Sequence, residues 1–360
     1  MKIFSTILIA FTLGTASSLA QTVISSYKPG VTSEGAVYYL PKTAIRVTMQ
    51  VEKSTYTPGE FCKYSEKYLR IKDVPTNAST KYRILSVKQE PFAIADTSKC
   101  YAVKFDAKTV ACNVRLSNEG ILLAINTDAK QQPKSAPAPT QQPRPLKNSP
   151  KSYLSEEILS AGSTAKMAEL TAQEIYELRE SKSMLAKGQA DFMPKDGEQL
   201  KLMLEELNTQ NEALTSLFIG TTENDTTTHM FTYVVDKPTK RDILFRFSPE
   251  YGLVDNDDLS GTPYYINIED LKTVAEPETV DPKKAAKPQQ SGIYVNVPGK
   301  MRATIFDAKN QIVSNEFAAG QFGNVELLSG VLFNKKYTTR LLLNALTGAV
   351  EKLEAEQPKK

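Results

Sequence analysis

Histidine is almost absent from this chain: among 360 residues there is one, His229. A zinc site built on two or three histidines is therefore excluded, and Cys62, Cys100 and Cys112 contain no close CxxC pair to compensate. Nucleophilic catalysis is equally poorly supplied. His229, in "TTTHMF", is accompanied by no GxSxG elbow and no partnered Cys motif, and it reads as a residue at the start of a strand. Tryptophan is missing altogether, which removes the commonest stacking platform for sugar rings. Tyr38, Tyr39, Tyr264 and Tyr265 are the candidate stand-ins, against the plainer reading that doubled tyrosines on strands divide between core and surface. No GxGxxG or phosphate-loop pattern occurs, so nucleotide binding has no support. Strong net charge is lacking too: the formal value is +3. Neither nucleic acid nor an anionic membrane is implied as a partner.

Long apolar runs are confined to the first residues. "MKIFSTILIAFTLGTASSLA" carries one charge, Lys2, then an apolar stretch from Ile3 to Leu13 and small residues at Ser18 and Ala20. This predicts a secretory signal at 1–20, cleaved before Gln21. The apolar part is well short of the roughly 20 residues a bilayer span needs, and no later run is longer, so no transmembrane segment is expected after cleavage. Gln21 stands where a lipoprotein would have Cys, so no lipid anchor is predicted. In an oxidising compartment the odd cysteine count leaves one thiol over; Cys100 and Cys112 could bridge a hairpin. The alternative is that all three are small buried hydrophobes.

Composition divides what remains. Residues 128–152 hold six prolines and almost nothing apolar, and read as an extended linker. A milder polar stretch at 272–292 reads as an exposed connection. Before the linker, residues 21–127 are β-rich. "RVTMQVE" puts Val47, Met49 and Val51 on one face, and "YAVKFDA" does the same with Tyr101, Val103 and Phe105. A short helix is expected between them: Thr57 as cap, Pro58 at the first position, Glu60 closing a capping box, with Phe61, Tyr64 and Tyr68 facing the sheet.

Residues 153–220 change period. One helix is expected to cap at Ser155 or Ser163 and stop at Gly188, with a stripe of Ala168, Ala172, Ile175, Leu178 and Leu185. A second is capped by Asp196 and striped by Leu200, Met203, Leu204, Leu207, Leu214, Leu217 and Phe218. The short connector predicts an antiparallel helical hairpin that braces the C-terminal strands. Strands return in 221–360, with Thr347-Gly348 as a tight turn. The expected fold is thus α+β, mainly β: two antiparallel β-sandwich-like regions with a long antiparallel helical hairpin between them.

The one metal candidate is "DNDDLSG", where Asp255, Asp257 and Asp258 have the hard oxygens that calcium prefers. Its glycine falls one place late for an EF-hand loop and no Glu closes it, so a polar turn is the competing reading. No catalytic residue and no cofactor are predicted.

Four long stretches carry a likeness: "GAVYYLPKTAIRVTMQVEKSTYTPGEFCKYSEKYLRIKDV", "AGSTAKMAELTAQEIYELRES", "MPKDGEQLKLMLEELNTQNEALTSLFIG" and "LFRFSPEYGLVDNDDLSGTPYYINI". In this order they resemble a family of exported Bacteroidota proteins catalogued as domain of unknown function 4831. The resemblance implies an envelope protein of Gram-negative bacteria and supplies no catalytic motif to transfer. With the missing motifs, it favours a non-catalytic scaffold or binding subunit in the periplasm or at the outer membrane, with a protein partner in the envelope. The alternatives are a glycan-binding or glycan-active periplasmic protein, and an assembly factor for outer-membrane clients.

Overall fold

The computed structural model describes residues 36–103, 113–129, 149–190, 194, 196–275, 292–333 and 338–356. The expected signal segment, Phe105, the Cys100–Cys112 bridge (through Cys112), and most of 128–152 and 272–292 lie outside these residues.

Alternation along one strand organises the molecule. β1 (Ala36–Thr57) is central in a three-stranded antiparallel sheet between β2 (Ser79–Val103) and β5 (Thr221–Tyr233). Its inward side chains, including Ile45, Val47, Met49 and Val51, are buried to 2% exposure or less. They press on a five-stranded antiparallel sheet of β6 (Thr239–Ser248), β7 (Gly252–Val254), β8 (Thr262–Asp270), β9 (Gly292–Phe306) and β10 (Gln311–Ser329), ordered β10-β9-β8-β6-β7. Ile45 and Val47 meet Ile266, Met301 and Ile305; Met49 and Val51 meet Phe245 and Phe247. At the other end of β1, Tyr38 and Leu40 enter a third cluster with Ile293 and Val295 of β9. That cluster also takes in a four-stranded sheet, built from β3 (Val114–Leu116), β4 (Leu122–Ile125), β11 (Thr338–Leu343) and β12 (Val350–Glu356).

A buried polar joint holds β1 to these neighbours. Gln321 accepts from the Thr43 N–H at 2.9 Å and its Nε2 donates to the Thr43 carbonyl at 2.8 Å. Asn296 Nδ2 donates to the carbonyls of Pro41 at 2.9 Å and Thr347 at 2.8 Å. Gly320 lies so close that a Cβ there would come within 2.4 Å of Asn296 Nδ2, a site at which only glycine fits.

The expected pair of sandwich-like regions separated by a helical hairpin is overturned. Among the described residues there are three antiparallel sheets, and two of them mix strands from both sides of the helical segment: β1 pairs with β5, and β4 with β11. Periodicity marks a strand locally, whereas its partner is chosen by burial over the whole chain. The helices α1 (Glu156–Leu159), α2 (Thr164–Lys187) and α3 (Gly197–Ile219) do not brace the C-terminal strands. Ala168, Ala172, Ile175, Leu214, Leu217 and Phe218 instead bury Phe61 and Leu69, from the connection between β1 and β2, together with Leu154 and Ile158.

That connection also departs from the expected capped helix. Thr57 ends β1, and Cys62–Tyr64 forms a 3-10 turn followed by a π-helical turn over Ser65–Leu69, neither with a side-chain cap. Tertiary docking wins over the capping box: the Phe61 N–H donates to the Leu217 carbonyl at 2.7 Å, and Glu60 turns to Lys151 Nζ at 2.9 Å. Phe61 stacks at a tilt on Phe218, 5.4 Å between centroids, facing helices rather than sheet. Where the local signals had no such competitor they act as expected. Ser163 accepts from the Lys166 N–H, Asp196 from the Glu198 N–H, and Gly188 stops α2 at φ 69°.

Candidate functional site

Asp255, Asp257 and Asp258 are brought into one exposed turn between β7 and β8. Two backbone carbonyls that could ligate a cation there are already engaged. Arg246 Nε donates to the Asn256 carbonyl at 2.7 Å and Nη1 to the Gly261 carbonyl at 3.0 Å. Asp258 accepts from the Ser260 N–H at 2.8 Å, and this bond, with help from Arg246, holds its carboxyl below the usual range. A guanidinium organises this turn, and its own positive charge opposes a second cation. Among the described residues no group of three or more His, Cys, Asp or Glu side chains converges on a point.

The doubled tyrosines do not form a shared platform. Tyr38 is 1% exposed, and Tyr264 stacks on Phe245 at 4.7 Å within the core between the two larger sheets. Tyr39 lies over Gly120, and Tyr265 sits beneath the Arg241 guanidinium at 4.9 Å. His229 is a half-buried residue of β5, opposite Met49 and 3.3 Å from Thr227 Oγ1. Of the cysteines, Cys62 is half-buried and Cys100 exposed, so neither is a fully buried hydrophobe. A shallow depression at the β9–β10 turn is lined by Asn267, Thr304, Asp307 and Lys309. Its carboxylate is taken up by the turn, accepting from the N–H groups of Lys309 and Asn310.

The densest grouping of chemistry is one that the sequence reading missed. Register along β1 and β2 jumps from Tyr39–Cys100 to Pro41–Ala95, so Asp96, Thr97, Ser98 and Lys99 stand opposite Leu40 alone. Such bulges re-aim side chains. Asp96 is 7% exposed, and its Oδ1 accepts from the Ser98 N–H at 3.1 Å and hydroxyl at 2.6 Å. Its Oδ2 lies 4.0 Å from Lys99 Nζ, beyond hydrogen-bond reach. Burial lowers the Lys99 ammonium pKa, with Asp96 opposing that shift. Beside them Tyr101 stacks on Tyr294 with centroids 4.3 Å apart. The Tyr101 phenol is raised by burial and by the charges of Tyr294 and Asp96. Tyr38 fixes the arrangement from below. Its hydroxyl accepts from the Tyr294 N–H at 2.8 Å and donates to the Tyr294 carbonyl at 3.2 Å. The signal available in the sequence was the polar run "DTSK" interrupting an alternating strand, but Tyr294, almost 200 residues on, carries no local mark of its place there.

No described helix is long and apolar enough to cross a membrane. Comparison with curated proteins and with solved structures gives no match. Residues 34–351, which take in the helices and every strand but most of β12, match the family described as Domain of unknown function (DUF4831), and the chain belongs to that family.

Proposed function

We propose that this chain is an exported, non-catalytic envelope protein that serves as a scaffold or binding subunit for other periplasmic or outer-membrane components. The observation that carries the reading is the length and two-sided exposure of the β1–β2–β5 sheet. β1 and β2 run 22 and 25 residues, about 70–80 Å at about 3.3 Å per residue. Past Val51 no β1 side chain is buried, and β5 is exposed from Thr221 to Thr227. A ladder whose side chains are half-buried or exposed orders backbone with little compensation from apolar burial. Its mechanical effect is to hold the helical cluster clear of the β body. On that cluster Met184 and Leu202 are 40% and 65% exposed.

The test is a photo-crosslinking amino acid placed in the native host at Met184 or Leu202, and, for comparison, at Ile243 or Ile312 on the five-stranded sheet. One discrete adduct from the helical positions, absent from the sheet positions, is expected. Absence of any adduct from all four positions would overturn the scaffold reading.

A further inference from the structure

The geometry points to the β2 bulge as a binding site for a neutral sugar residue, held by Asp96 and Lys99 and stacked beside Tyr101 and Tyr294. Lys99 and Asp96 form a loose pair. Lys99 Nζ and Asp96 Oδ2 are 4.0 Å apart, too far to bond each other. The gap suits one bridging hydroxyl, which accepts from the ammonium and donates to the carboxylate at about 2.8 Å each. The Lys99 side chain is 21% exposed and that of Asp96 10%, so the two charges are partly withdrawn from water yet still within reach of a ligand hydroxyl.

Charge narrows the ligand further. The pair sums to zero, so it offers no net attraction to an anion or to a cation; an uncharged group that both donates and accepts can serve both partners at once. Water meets that description as well, but water gains nothing from an aromatic neighbour. Here Tyr101, two residues beyond Lys99 on the same strand, stacks on Tyr294, which keeps 36% exposure. A pyranose offers hydroxyls on its edge and C–H bonds on its face, and so matches a polar pair flanked by a ring. Tyr38 clamps the Tyr294 backbone through two hydrogen bonds, so the site is preorganised. This site lies on the strands and is independent of the scaffold reading, whose crosslinking positions are elsewhere.

Saturation-transfer NMR on the full mature chain, with maltotetraose, cellotetraose and chitotetraose as probes, tests the assignment. Saturable transfer from at least one probe is expected. Lys99→Met and Tyr294→Ala should each weaken it by about tenfold or more, the equivalent of losing one charge-assisted hydrogen bond or one stacking surface. Circular dichroism and the melting temperature of both variants establish that the fold is retained; Tyr294→Leu replaces Tyr294→Ala if the latter does not fold. No saturable transfer from any probe up to about 10 mM, or unchanged affinity in either folded variant, overturns the proposal.

Discussion

β1 is one strand with two environments. From Tyr38 to Val51 nearly every second side chain is buried to 2% exposure or less, and from Glu52 to Thr57 none is buried. Pairing continues through both: β2 runs beside β1 in each half, with register shifts at Tyr39/Pro41 and Gln50/Val51, and β5 follows from Ile45 to Thr57. What changes is the layer beneath. Phe245 and Phe247 are the last core residues of the five-stranded sheet to reach β1, under Met49 and Val51; beyond them the inward positions become Lys53 and Thr55. The comparison separates two sources of order that usually coincide, backbone pairing and side-chain burial. Strand geometry here outlasts the core by six residues, 52–57, carried by pairing and anchored at its far end by Phe61.

Met49→Ala should have the largest effect, since Met49 is fully buried in the inner half. It opens a cavity between the sheets and is expected to cost about 3 kcal/mol, read as a lower midpoint in a denaturant titration. Tyr38→Phe probes the opposite end of the same half. Removing the hydroxyl leaves the Tyr294 N–H without its acceptor and should cost about 1–2 kcal/mol. A pH dependence accompanies it. Burial raises the Tyr38 phenol above the ordinary 10.0, and burial with the Asp242 hydrogen bond raises Tyr233 to about 12. The folded state therefore favours the neutral phenols. Their contribution is complete below pH 10 and is lost as pH rises toward the folded values. Melting temperature should fall between about pH 10 and 12, less steeply in Tyr38→Phe, and phenolate absorbance should show a late-titrating fraction. Thr55→Ala, six residues from Met49 on the same side of β1, should move stability by no more than about 0.5 kcal/mol. A loss comparable to Met49→Ala would show that the outer half is covered by something in solution.

Much of this was legible locally. The alternation of Val47, Met49 and Val51, the caps at Ser163 and Asp196, and Gly348, at φ 72° in the turn before β12, all follow from steric rules that act within a few residues. Partnership was not legible. Nothing in "RVTMQVE" indicates that its neighbour is "HMFTY", because pairing is settled by the burial of all strands together. Pro298-Gly299 has the local look of a strand end, yet β9 runs unbroken through it, since Gly299 lets the chain continue against the Phe322 carbonyl. Thr57-Pro58-Gly59-Glu60 carries every mark of a helix start. It is overruled because Gly59 lies against the Leu217 carbonyl, too close for any Cβ, and fixes the backbone there. The same limit hid the candidate sugar site. Asp96 and Lys99 stand in a polar interruption of an alternating strand, whereas Tyr294 reaches Tyr101 only once β9 is in place.

Because β1 joins three separate core clusters, it also sets a timetable. Synthesis runs from the N-terminus, so this strand leaves the ribosome early, while β5, β9 and β11 are completed far later. Until then its alternating apolar edge has only β2 beside it, the kind of unpaired surface that aggregates or recruits a holding chaperone. The strand that unites the finished molecule is thus one whose apolar face waits longest in sequence for its cover, and contacts of such separation favour slow folding.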